Sequence, residues 1–209
     1  MVTRLDADVG ELLRLLKEMD IDRETVVIFT SDNGPQGRDE GGYDQSFFDS
    51  NGPLRGLKRE LYEGGIRVPL LVRWPGRVRA GASSAFPVTL CDLLPTAAAL
   101  AGARAPEVTD GVSLLSLLLG GRAPQRGPLY WEFHEGGFAQ AVRMGSWKAV
   151  RKGVDGAVEL YDLKADIGET RDVASRYPAL VRRAEEIMRR EHVESEDWPV
   201  GAQATSGEN

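Results

Sequence analysis

The chain has 209 residues, 42% of them apolar and 28% charged, with a formal net charge of −6. That length suits one large domain or a domain with a subdomain, and the acidic balance argues against nucleic acid or an anionic membrane surface as the main partner. A single cysteine excludes an internal disulfide framework, and no apolar run approaches the roughly 20 residues needed to span a bilayer.

The first predicted element is an amphipathic helix over about residues 3–19. Leu5, Val9, Leu12, Leu16 and Met19 recur there at three- and four-residue steps among charged neighbours. Met1 leads straight into it through Val-Thr-Arg-Leu-Asp, with neither a capped entry nor the basic and then apolar pattern of a signal peptide. A strand over residues 26–30 follows. Its apolar residues do not alternate with polar ones, which predicts burial on both faces, as in a parallel sheet with helices on both sides.

Residues 34–57 have no helical or strand period and are rich in Gly, Asp, Ser and Asn. A stretch of that length without structure is usually functional or disordered. A second buried strand is predicted over residues 68–74, ended by Pro75-Gly76. A helix is predicted over residues 89–101, with Pro95 in its first turn and Gly102 as its stop, then a short apolar helix over 112–119. After about residue 125 the segments LYWEFH, QAVRMG, WKAVRKG and VELYDL alternate with Gly and polar turns, the pattern of an antiparallel sheet. A last amphipathic helix spans 178–191, and the polar tail from Val200 is expected to fray. The predicted organisation is therefore an α/β part over 1–124 and an antiparallel-sheet subdomain with a terminal helix over 125–209.

Asp32 and Asn33 stand just past the predicted first strand. Both offer hard oxygen donors suited to Ca²⁺ or Mg²⁺, at the sheet edge where α/β ligand sites gather. By spacing alone Asp-Asn-Gly reads more readily as a turn, and two oxygens fall short of the roughly six to eight that Ca²⁺ takes. Lys58 lies beside the irregular loop, where it either stabilises a developing anion or is simply solvated. His134 ends the LYWEFH strand and is either a substrate contact or an exposed strand-end histidine, and His192 reads as solvated. Cys91 reads as a buried small apolar residue. Trp74, Trp131 and Trp147 read as core or packing residues rather than a sugar platform. Arg67 reads as an ion-pair or carbonyl-binding residue, with Glu63 as its partner or as the support of the Gly64-Gly65 turn.

In order, TVVIFTSDNGP, LRGLKRELYEGGIRVPLLVRWPG and LCDLLPTAAALAG resemble the sulfatase family, within the alkaline phosphatase superfamily. The later GSWKAVRKGVDGAVELYDLKADIGETRDVA resembles the C-terminal subdomain of the same enzymes. The resemblance implies an α/β fold: part of an alkaline-phosphatase-like sheet with flanking helices, plus a C-terminal α+β subdomain with a small antiparallel sheet. It implies hydrolysis of a sulfate ester, in a sulfated small molecule or carbohydrate, by a formylglycine nucleophile assisted by Ca²⁺, with Mg²⁺ the alternative. Asp32 and Asn33 would be two metal ligands, Lys58 would bind the sulfate group, and His134 would border the substrate.

The departure from the family lies in the nucleophile. The family makes formylglycine from a Cys-X-Pro-Ser-Arg motif, whereas Cys91 is followed by Asp-Leu-Leu-Pro. The chain therefore looks like the C-terminal half of such an enzyme, inactive alone, with an exposed sheet edge that invites the absent half or a second copy. A complete parent would be periplasmic or secreted, with the cytoplasm as the alternative. Two other readings remain: a non-catalytic fragment or partner-binding module, and a phosphodiesterase or phosphonate hydrolase of the same superfamily.

Overall fold

A computed structural model describes residues 1–37 and 45–200, without the side chains of Gln45 and Ser46. Part of the 34–57 loop and the tail after Val200 lie outside the described residues. The chain forms two compact units, Met1–Thr30 with Pro69–Arg126, and Ser31–Val68 with Gly127–Asn209. One division falls at Arg126, and Ser31–Val68 groups with the C-terminal segment.

In the first unit, α1 spans Val2–Glu18 and buries none of its residues. Leu5, Leu12 and Met19 on its apolar face are 50%, 62% and 59% exposed. β1 (Val27–Thr30) and β2 (Leu70–Arg73) form a two-stranded ladder. The ladder is antiparallel, with Val27 opposite Arg73 and Thr30 opposite Leu70, and Ile28, Phe29 and Leu71 remain exposed. The expectation of a parallel strand buried on both faces is thus corrected. An unbroken apolar run reports a preference for burial and carries no information about the direction of the partner strand.

Asp22 accepts from Arg73 at 2.6 and 3.0 Å, joining the turn before β1 to the end of β2. The expected helix at 89–101 is a 3₁₀ turn, Leu90–Asp92, running into α4 (Leu93–Leu100). Thr89 and Asp92 form a capping box at its start. The second apolar helix, α5 (Leu115–Leu118), is shorter than expected. Cys91 is exposed, not buried as expected, because it sits in the 3₁₀ turn ahead of α4 while its neighbour Asp92 points inward.

Two short helices, α2 (Gln45–Phe48) and α3 (Glu63–Ile66), lie between β1 and β2 in the chain. The second unit is built on an antiparallel meander, β3 (Leu129–Phe133), β4 (Ala139–Met144), β5 (Trp147–Lys152) and β6 (Val158–Asp162). Val142, Ala149 and Leu160 face α6 (Pro178–Glu191) and pack on Ala184, Ile187 and Met188. Ala141, Val150 and Tyr161 alternate with them and meet Leu61 and Tyr62 on the opposite face. Each fully buried aliphatic side chain of this kind contributes about 1.5–3 kcal/mol. One sheet face is thus covered by the terminal helix. The other is covered by the segment that carries Lys58 and leads into α3.

Candidate active site

Asp32, Asn33, Lys58 and His134 all belong to the second unit. Asp32 and Asn33 occupy an exposed-to-half-buried bend. The Asn33 amide N–H donates to Asp32 Oδ1 at 3.0 Å, the Ser31 hydroxyl donates to the Asn33 carbonyl at 3.0 Å, and Asn33 Nδ2 donates to the Gly34 carbonyl at 2.9 Å. These local bonds are those of a turn, and they still leave oxygens of both side chains for another partner.

Two backbone hydrogen bonds carry this turn to Lys58. The Gly34 N–H donates to the Gly65 carbonyl and the Lys58 N–H donates to the Pro35 carbonyl, each at 2.9 Å. The approach is close enough that a Cβ on Gly34 would lie 1.8 Å from the Gly64 oxygen, and one on Gly64 would lie 2.2 Å from the Gly56 oxygen. The glycines let three backbone segments meet without side chains between them. Lys58 is half-buried.

The loop around Lys58 is fastened on both sides. Arg55 Nη1 donates to Tyr161 Oη at 2.8 Å and to the Glu169 carbonyl at 3.1 Å, and its guanidinium lies 3.8 Å from the centre of the Tyr62 ring. Both Tyr62 and Tyr161 donate to Glu159 Oε2 at 2.6 Å. Burial and the nearby carboxylate push both phenols well above their ordinary range. Glu63 pairs with Arg67 at 3.1 Å, one of its two expected roles, and more closely with Lys148 at 2.9 Å. Burial drives the Glu63 carboxyl upward, but Lys148 and Arg143 outweigh it and hold the group below its usual range.

His134 follows β3 and lies half-buried, with Nε2 3.5 Å from Glu132 Oε1 and its ring packed near Phe138 and Trp198. Its neighbour Glu135 pairs with Arg59 at 3.0 Å, which ties the end of β3 to the Lys58 loop. His192 is not solvated as expected. Its Nδ1 lies 2.8 Å from Glu132 Oε2, because α6 packs back across the sheet and delivers its last turn to β3. Trp131 packs against the core, the Trp147 and Tyr177 rings lie tilted to one another with centroids 4.8 Å apart, and Trp74 Nε1 donates to the Arg23 carbonyl at 2.9 Å, in line with their packing roles.

Asp32 and Asn33 fit a hard divalent cation in donor chemistry but not in number. Among the described residues no group of three or more His, Cys, Asp or Glu side chains is placed to hold a metal ion. Two side chains would supply only part of the roughly six to eight oxygens that Ca²⁺ takes.

Residues 1–103 match the family model described as Sulfatase, and residues 56–193 match that described as N-sulphoglucosamine sulphohydrolase, C-terminal. The chain belongs to the sulfatase family. It is 32% identical over 209 residues to the N-acetylgalactosamine-6-O-sulfatase of Bacteroides thetaiotaomicron, covering 90% of this chain and 40% of that protein. It is 44% identical over 153 residues to arylsulfatase A of Homo sapiens, covering 69% of this chain and 28% of that sulfatase. The crystal structure of Ps i-CgsB in complex with k-i-k-neocarrahexaose superposes with a TM-score of 0.78 at 34% identity, over 91% of this chain and 41% of the other. The chain thus spans two fifths or less of the curated sulfatases named here. Its α/β fold with small antiparallel sheets is a sulfatase fold.

The residues that sequence reasoning missed are Lys148, Glu169 and Glu132. Each is charged and buried or half-buried. The one available signal for Lys148 was its place in β5 (WKAVRK), where it directly precedes the apolar pair Ala149-Val150.

Proposed function

We propose that these residues supply the sulfate-binding lysine and part of the metal-ligand set of a sulfuric ester hydrolase acting on a sulfated carbohydrate or small molecule. The observation that carries this reading is the pair of 2.9 Å backbone hydrogen bonds that join the Asp32-Asn33 turn to the Lys58 and Gly65 segments. A sulfate ester under attack concentrates negative charge on its non-bridging oxygens. The Lys58 ammonium counters that charge where it develops, which lowers the barrier more than the ground state. Asp32 and Asn33 hold Ca²⁺, or Mg²⁺, together with donors from outside these 209 residues. When bound, the ion neutralises sulfate charge and orients the nucleophile. His134 borders the leaving group, and its ring is oriented by Glu132.

The formylglycine nucleophile comes from a Cys-X-Pro-Ser-Arg motif that these residues do not contain. The chain alone is therefore inactive, and its exposed apolar face in the first unit is covered by the rest of the enzyme or, without it, by a second copy. The periplasm or the medium is the proposed site of action of the complete enzyme. The test is an assay of 4-nitrophenyl sulfate and 4-nitrophenyl phosphate with the reading frame that joins this sequence to such a motif, beside the 209-residue chain. Sulfate turnover by the first and none by the second is expected. Strong preference for phosphate, or turnover by the chain alone, overturns the reading.

A further inference from the structure

β5 places Lys148 on the sheet face that meets Leu61 and Tyr62, and its side chain is 0% exposed. Its Nζ lies 2.9 Å from Glu63 Oε1 and 3.2 Å from Glu169 Oε1, two carboxylates that are themselves 2% and 0% exposed. Charges taken this far from water persist only when paired and hydrogen-bonded. Glu169 is the less completely satisfied of the two, since Oε1 has the ion pair but no hydrogen bond.

The backbone of Glu169 is unusual as well. It sits at φ +51, in the left-handed region that side-chain-bearing residues seldom adopt. That conformation lets one residue hold two separate points of the chain. The Glu169 carbonyl accepts from Arg55 Nη1 at 3.1 Å, and Glu169 Oε2 accepts from the Glu63 N–H at 2.6 Å. Arg55 and Glu63 are the two ends of the loop that bears Lys58, and the Gly64 N–H closes that loop onto the Arg55 carbonyl at 2.6 Å. The next residue, Gly65, receives the Gly34 N–H of the Asp32-Asn33 turn.

We propose that Lys148 and Glu169 are positioning residues, which clamp both ends of the Lys58 loop to the C-terminal sheet and so set Lys58 against the Asp32-Asn33 turn. This rests on the roles proposed above for those three residues. Lys148 places its positive charge between Glu63 and Glu169, and Glu169 supplies the two grips. Neither residue touches substrate.

The test uses Glu169→Gln, which keeps the shape and an acceptor for the Glu63 N–H but removes the charge, and Lys148→Met. Peptide-level hydrogen exchange on the 209-residue chain reads monomers and associated forms alike. In Glu169→Gln, exchange across residues 32–37 and 55–60 is expected to quicken on the order of tenfold, with residues 140–150 and 158–163 unchanged. Uniform quickening of both sets, or no change, overturns the proposal by assigning the clamp to general stability. If Lys148→Met fails to fold, Glu169→Gln alone decides. In the parent enzyme, Glu169→Gln is expected to lower kcat for 4-nitrophenyl sulfate by on the order of tenfold. Local quickening with unchanged kcat overturns the proposal. An unmutated parent without sulfate turnover defeats the assigned function instead, and the exchange comparison still decides the clamp.

Discussion

A Cβ on Gly34 would lie 1.8 Å from the carbonyl oxygen of Gly64, so the turn bearing Asp32 and Asn33 meets the Lys58 loop backbone to backbone. Gly34→Ala must push those segments apart or break the Gly34–Gly65 hydrogen bond. Overpacking of this kind costs about 1–3 kcal/mol. A lower denaturant midpoint with an unchanged slope is expected, with faster exchange concentrated at residues 32–37. A midpoint equal to that of the unmutated chain would show that the turn has room to move.

Lys58→Ala separates charge from structure. The side chain is half-buried, and the ties of its loop run through the backbone and through Arg55 and Glu63. Melting should change little. Sulfate-ester turnover by the parent enzyme should fall by about 10²–10³, the scale of losing one group that stabilises a developing oxyanion. Retained turnover would remove Lys58 from the chemistry.

His192 makes stability depend on pH. Glu132, 2.8 Å away, raises its pKa with help from Glu194, against the opposing effect of burial. Tyr130 and His134 also face Glu132. A raised folded-state pKa contributes stability that is complete below the unfolded value of about 6.5 and is lost as pH rises through the folded value. Burial pushes the Glu132 carboxyl up, but its hydrogen bonds from Tyr130 and His192 hold it low. Its contribution therefore fades only as pH falls through that lowered value. The chain should melt higher at about pH 6 than at about pH 8, and His192→Gln should shrink the difference. An unchanged difference in His192→Gln would assign the pH response elsewhere.

Asp92 is 0% exposed and joins three parts of the first unit. It accepts from the Thr89 N–H and the Val112 N–H, each at 2.8 Å, and from the guanidinium of Arg126. Asp92→Ala leaves a guanidinium only 8% exposed without its partner. Breaking a buried pair in this way costs about 3–5 kcal/mol. Thermal melts should show a large drop, whereas Cys91→Ser next to it, on an exposed side chain, should be nearly silent.

The apolar face of α1 and the β1–β2 ladder leave Leu12, Phe29 and Leu71 exposed at 62%, 36% and 59%. Such a surface favours association. Sedimentation of the 209-residue chain should show dimers or larger species, and Leu12→Glu should shift the distribution toward monomer. A soluble monomer with a sharp two-state melt would contradict this.

Local periodicity made several elements legible. The 3.6-residue spacing of Leu180, Val181, Ala184, Ile187 and Met188 marked α6, whose bounds Pro178–Glu191 match the expected ones. The Gly-punctuated segments after residue 125 marked the four-stranded antiparallel meander. The same logic misdirected β1, because Val27–Thr30 has the composition of a strand buried on both faces but pairs antiparallel with β2 and stays half-exposed. His192 was misjudged for a related reason. Its charged neighbours suggested solvent, while the packing of α6 on the sheet brings it to Glu132.

The sequence by itself determined the family and most of the helix and strand pattern. These depend on order and spacing along the chain, which a linear reading preserves. Only the tertiary structure decided that Asp32-Asn33 and Lys58 meet through Gly34, Pro35 and Gly65, and that Glu169 and Lys148 hold the loop between Arg55 and Glu63. The contacts of Arg55 with Tyr161 and of Glu63 with Glu169 each join residues 106 positions apart. A buried lysine is stable there only because folding brings two carboxylates to it, and no local pattern records that meeting.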